Sequence, residues 1–228
     1  MCGRFVMFTT GEKLLGEIGA LPGVQETHAP DGTPPERYNI APTQQVGLVL
    51  YDGPVARFTP ARWALLPHWK KDDSGPPLFN ARAETVREKP SFRDAFQTQR
   101  GVMPLDGYYE WHVGENGKKQ PYFVSLEGGE MLWAAALFST GLDQLSCTMI
   151  TTAAEVPMDW LHHRLPRFLE PSEVRQWCEG DADEAGELLT SAPTSLRERM
   201  RWQEADSAVG NVRNDHAGLM DAAESRLL

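Results

Sequence analysis

A chain of 228 residues that is 41% hydrophobic can bury the core of one domain, or at most two. Its formal net charge of −10 argues against a basic scaffold that wraps nucleic acid, and no apolar run approaches the roughly 20 residues of a membrane span. Its three cysteines, Cys2, Cys147 and Cys178, lie far apart and form no CxxC pair, so neither a disulfide framework nor a zinc site is expected. The charge is uneven: residues 1–100 carry 12 Lys/Arg against 11 Asp/Glu, and residues 101–228 carry 10 against 21. A locally basic site is therefore possible in the first half. Arg4 and Phe5 are followed at once by polar Thr9, Thr10 and Glu12, which is not the layout of a signal peptide, and a cytosolic location is expected.

The chain opens Met1-Cys2-Gly3-Arg4-Phe5. A Met ahead of a small residue is usually trimmed, so the mature chain is expected to begin at Cys2. That terminus carries a thiol and a free α-amine on adjacent carbons, which titrate near ~8.5 and ~8. An amine condenses with an aldehyde to an imine, and the neighbouring thiol can then close a thiazolidine ring. An internal cysteine lacks the amine. The plain alternative is that Cys2 is a small buried hydrophobe.

Thr9 and Glu12 have capping-box spacing ahead of Leu14, Leu15 and Ile18, which predicts a short helix. Residues 22–35 are rich in Pro and Gly and read as an exposed loop. Tyr38 to Thr43 leads into a strand over Val46–Tyr51, with Pro42 stiffening the approach. Residues 57–66 alternate loosely and end in a loop with Trp63, Pro67, His68, Trp69, Lys70 and Lys71. Trp63 fits a core position. Trp69 is either a lid or, among the lysines, part of a surface on which a base can stack. Asn80, in Phe79 to Thr85, is expected to fix geometry if buried. A helix is expected to start near Pro90, with Phe92 and Phe96 on one face.

Residues 101–113 read as one strand that includes Gly107-Tyr108-Tyr109-Glu110-Trp111. Glu110 among aromatics is either a poorly solvated acid suited to proton transfer or an outward-facing strand residue. Asn116-Gly117 marks a hairpin turn. Strands over 122–126, 132–139 and 147–152 complete a β-rich core. Adjacent His162 and His163 cannot share a helical face for a metal, but one of them can act as an acid or base near neutral pH. A helix is expected from Pro171 to about Cys178, with a second within 181–187. A Gly/Asn loop over 208–214 carries Arg213 and can hold a phosphate.

Taken together, Met1-Cys2-Gly3-Arg4-Phe5, Tyr38-Asn39-Ile40-Ala41-Pro42, Trp63…Pro67…Trp69, Asn80-Ala81-Arg82-Ala83-Glu84-Thr85, Gly107-Tyr108-Tyr109-Glu110-Trp111, His162…Arg164-Leu165-Pro166 and Val209-Gly210-Asn211 resemble the SRAP family of SOS-response-associated peptidases, also called abasic-site processing proteins. The resemblance implies one compact α+β domain over 1–228, with a β-rich, barrel-like core flanked by short helices. It implies covalent capture of the ring-opened aldehyde of an abasic site in single-stranded DNA, through Cys2. It gives Glu110 proton transfer, His162 the abasic sugar and Asn80 the positioning of the adduct. Arg4, Arg82 and Arg164 match phosphate-contacting arginines. Asn39, Pro42, Trp69, Trp111, Thr151 and Asn211 lie where the family lines the DNA path. The resemblance also implies peptidase activity on residues ahead of the cysteine, and weak lyase activity is conceivable. No metal or small-molecule cofactor is expected, nor a membrane, and the chain is expected to be a monomer that joins the nucleoid when bound to damaged DNA. His163 stands where the family usually has Asp, and Pro90 where it often has a basic residue. Two other readings stay open: a thiol peptidase with Glu110 or His162 as base, and a noncovalent single-stranded-DNA-binding module.

Overall fold

The computed structural model describes residues 2–115 and 117–222. In chain order the elements are β1 (Phe5–Met7), α1 (Gly11–Gly19), β2 (Glu26–His28), β3 (Arg37–Ile40), β4 (Gln45–Asp52), β5 (Val55–Trp63), β6 (Asn80–Arg82), α2 (Arg93–Thr98), β7 (Arg100–Leu105), β8 (Gly107–Val113), β9 (Lys119–Leu126), β10 (Leu132–Gly141), β11 (Gln144–Ala153), β12 (Arg164–Pro166), β13 (Phe168–Leu169), α3 (Pro171–Glu179), α4 (Ala182–Glu187), α5 (Thr194–Glu198) and β14 (Met200–Glu204).

The core is a closed barrel. Strands β5, β4, β7, β10 and β11 pair in that order, and a parallel pairing of Ser146 with Arg62 and Cys147 with Trp63 returns β11 to β5. Leu132 to Leu137 of β10 are all buried, as a strand covered on both faces requires. Helix α3 closes one side through Val174 and Trp177, whose indole N–H donates to the Gly101 carbonyl at 2.9 Å. A second sheet, in the order β14-β9-β8-β1-β3, packs its one face on the barrel. Its other face carries a smaller core of Val6, Tyr109, Phe123, Ala205, Val209 and Leu219. The barrel-like α+β architecture expected of the sequence is therefore observed.

Four local expectations are corrected. Residues 101–113 are two strands, because Asp106 turns the chain out of the barrel and into the second sheet. Its buried carboxylate accepts from the Phe8 and Thr9 amides at 2.6 and 2.7 Å and from the Thr9 hydroxyl at 2.6 Å. Thr9 is thus committed to Asp106. The N-cap of α1 is Thr10, without a side-chain cap, so the capping box does not form. Within 22–35, β2 pairs in parallel with β5, so part of that loop is strand. Helix α2 begins at Arg93, beyond Pro90, although Phe92 and Phe96 are both buried as expected. The hairpin between β8 and β9 closes through a Gly114 amide to the Lys118 carbonyl at 3.0 Å. Asn116 of that turn and Met1, whose removal was expected, lie outside the described residues.

Gly107 makes the second sheet possible. A Cβ there would lie 2.5 Å from the Phe123 ring and 2.6 Å from the Val124 carbonyl oxygen. Only glycine lets β9 pair this closely with β8, and Glu110 follows three residues later.

Candidate active site

Alternation along β8 decides where Glu110 points. Tyr108 belongs to the barrel-side core and Tyr109 to the outer one, so Glu110 shares the barrel-side face with Tyr108. It is buried, and the outward-facing alternative fails. Trp111 packs with the outer core, on the opposite face.

Strand β1 brings Cys2 to this face. Phe5 pairs with Tyr108, and the Tyr109 amide donates to the Arg4 carbonyl at 2.9 Å. Cys2 is fully buried, and its thiol donates weakly to the Arg4 carbonyl at 3.7 Å. Burial, and then the charge of Glu110, push the thiol up to about 12. Asn80, the first residue of β6, donates from Nδ2 to the Cys2 carbonyl at 2.7 Å. Strand β6 is held parallel to β11, Met149 opposite Asn80.

His162 precedes β12 and is half-buried. Its Nδ1 accepts from the Arg164 amide at 2.9 Å, so in the neutral ring the proton sits on Nε2. Burial lowers its pKa, against the opposing charge of Glu110. The ring stacks on His163, with centroids 4.1 Å apart. Glu110 thus acts electrostatically on both Cys2 and His162, and Asn80 touches Cys2 directly. The structure gathers all four expected catalytic residues.

The expected DNA-contacting residues divide. Arg82 and Asn211 are exposed, Arg4 and Pro42 are half-buried, and Trp69 is 51% exposed beside a groove of about 480 Å³ with Lys70 and Lys71. Asn39, Thr151 and Arg164 are buried and make hydrogen bonds inside the protein, although Arg164 Nε has no partner among the described residues. Asn39 accepts from Arg4 Nε at 3.0 Å and donates from Nδ2 to the carbonyls of Val209, Asn211 and Asn214. It therefore anchors the 208–214 loop. Arg164 makes a two-pronged contact with Glu84 at 2.6 and 3.0 Å, and reaches the Thr151 hydroxyl at 3.2 Å. These three side chains are turned inward and support the site.

Sequence reasoning missed two residues. Tyr108, buried beside Cys2 and Glu110, is held well above its ordinary pKa by burial and then by those two groups. Its hydroxyl has no hydrogen-bond partner among the described residues. Its place at the head of Gly107-Tyr108-Tyr109-Glu110, one alternation from Glu110, was the available signal. Glu84 was part of a motif but had no role until Arg164 was seen to close on it.

With this geometry in view, comparison with known proteins places the chain. The SRAP family, described as SOS response associated peptidase, matches residues 1–212. The abasic site processing protein YedK of Escherichia coli (strain K12) is 32% identical over 226 residues, covering 96% of this chain and 99% of that protein. The abasic site processing protein YoaM of Bacillus subtilis (strain 168) is 29% identical over 228 residues, covering 97% and 98%. A crystal structure of a Bacteroides thetaiotaomicron protein superposes with a TM-score of 0.79 at 22% identity, covering 97% of this chain and all of that one, and bears out the fold. The chain belongs to the SRAP family.

Proposed function

We propose that this protein processes abasic sites by capturing their aldehyde on Cys2, in single-stranded DNA and as a monomer. The observation that carries the reading is that the charge of Glu110 acts on both Cys2 and His162, while Asn80 is bonded to the Cys2 carbonyl at 2.7 Å. A structural cysteine would need none of these polar neighbours. The names of the relatives, abasic site processing proteins, support the same substrate class.

The chemistry follows from the groups. Removal of Met1 frees the α-amine. The amine adds to the aldehyde carbon and water leaves, giving an imine. The thiol sulfur then bonds to that carbon, and its proton ends on the ring nitrogen. The adduct is protein plus DNA minus one water. A thiol held up at about 12 stays protonated at neutral pH, so the amine step comes first and the thiol gives up its proton as the ring closes. Glu110 is placed to take and return protons. His162, held as the Nε2–H tautomer, offers a hydrogen bond to the oxygen freed when the sugar ring opens. A proton delivered elsewhere on the imine would favour strand cleavage, so any lyase activity is weak. Removal of residues ahead of Cys2 belongs to the same reading.

Intact mass spectrometry before and after incubation with an oligonucleotide carrying one abasic site tests it. Loss of Met1 and a durable adduct lighter by one water is the expected result; Cys2→Ala and Cys2→Ser, which keep the α-amine but lack the thiol, should form no durable crosslink and leave only a reversible imine. Matured protein that forms no adduct would overturn the capture mechanism.

A further inference from the structure

The barrel-side face of the second sheet does not end at Glu110. In the register of β8 on β9, Glu110 pairs with Tyr122 and His112 with Gln120, so Glu110, His112 and Tyr122 share one face. On the next strand Trp202 pairs with Val124 and Glu204 with Tyr122, which sets Trp202 on that face too. Trp160 from the segment before His162 lies over them. Its carbonyl accepts from His112 Nδ1 at 3.0 Å, which fixes its backbone against β8. The ring centroids of His112, Tyr122 and Trp202 lie 5.3, 5.1 and 5.8 Å from Trp160. Trp160 and Trp202 are 38% and 40% exposed, although packing alone would favour covering them.

We propose that this aromatic cluster, centred on Trp160 and Trp202, is a stacking subsite for the unpaired base next to the abasic nucleotide. The inference rests on the capture reading above. Three observations favour a nucleobase as the occupant. The rings are continuous, on one sheet face, with the carboxylate that serves the reacting sugar. Tyr122 is one strand from Glu110 and Trp202 two, so the cluster begins about 5 Å away and reaches about 10 Å, the span of one neighbouring nucleotide. Flat aromatic faces accept any base without reading its edge, as a sensor of a lesion in any sequence requires.

The test uses an unreactive oligonucleotide whose abasic site is a tetrahydrofuran, so that affinity is read without capture. Single bases on either side are also deleted in turn, leaving the backbone intact. For the wild-type protein, deleting the stacked base weakens binding roughly tenfold. In Trp160→Leu and Trp202→Leu, which keep apolar bulk, the intact oligonucleotide binds roughly tenfold more weakly, and deleting that base costs little further. Circular dichroism checks that the variants fold. Coupling of either tryptophan to a base on one flank supports the subsite. Equal losses in wild type and variants on both flanks, or no loss at all, overturn it. Adduct formation on an oligonucleotide with a true abasic site is measured in parallel. Its absence in the wild type would fault the capture reading, whereas intact capture without coupling would fault only the subsite.

Discussion

The Arg164 amide donates to Nδ1 of His162 at 2.9 Å, and this one bond sets what the imidazole can do. With Nδ1 engaged as an acceptor, the neutral ring presents an N–H at Nε2. His162 is therefore a hydrogen-bond donor in the resting site and not a base. His162→Ala is expected to lower the rate of adduct formation about 100-fold, the usual cost of a lost donor to a developing oxyanion. His162→Gln keeps an N–H near the same place and should retain substantially more of the rate. Single-turnover capture followed by gel shift measures both. Equal losses in the two variants would show that His162 works as a base.

The support behind that bond is the Glu84–Arg164 pair. The Arg164 guanidinium holds the Glu84 carboxyl below its ordinary value of 4.5. A carboxylate with a depressed folded pKa adds stability that is fully present above the unfolded value and is lost as pH falls through the folded one. The melting temperature of the wild type should therefore exceed that of Glu84→Gln at neutral pH, with the gap closing below about pH 4.5. Thermal melts of both proteins between pH 3 and 7 measure it. A gap independent of pH would mean that the carboxylate charge contributes nothing. The same variant should slow capture, because a loosened Arg164 no longer fixes His162.

The four candidate catalytic residues were legible in the sequence because short motifs carry them, and the face that Glu110 takes follows from strand alternation along β8. The break at Asp106 was not legible. An Asp between Leu105 and Gly107 reads as a minor interruption of one strand until the amides of Phe8 and Thr9, about a hundred residues away in sequence, arrive to satisfy it. The same holds for Arg164 and Asn39. Their residue types suggested a ligand, and only the folded chain supplies Glu84 to one and the carbonyls of residues 209, 211 and 214 to the other. Long-range partners of polar side chains leave no local pattern.

Tyr108 offers a sharper test of the site. A buried hydroxyl without a partner costs about 1–3 kcal/mol of stability. Tyr108→Phe removes only that oxygen from a position that is 1% exposed. The urea midpoint should hold or rise. Capture should slow if the hydroxyl donates to the sugar or to the Cys2 sulfur during the reaction. A marked drop in stability would instead reveal a partner for the hydroxyl and remove the reason to assign it to the reaction.

Asn39 joins the two ends of the described chain. Its Nδ2 serves the carbonyls of Val209, Asn211 and Asn214 at 3.1, 3.1 and 2.8 Å, while its Oδ1 accepts from Arg4, two residues beyond Cys2. Asn39→Asp leaves the contact to Arg4 and turns the donor into an acceptor facing carbonyl oxygens. The desolvated carbonyls lose their partner and meet a negative charge, so the loss should exceed about 3 kcal/mol. It should also be local at first: the 208–214 loop is held to β3 by this side chain and by Asp215, which accepts from the Tyr38 amide at 2.5 Å. Limited proteolysis should therefore cut Asn39→Asp within 208–214 well before the barrel unfolds. Asn39→Ala, which lacks the repulsion, should fall between it and the wild type. Cleavage at the same rate in all three proteins would mean that Asp215 and the outer core around Val209 hold the loop without Asn39.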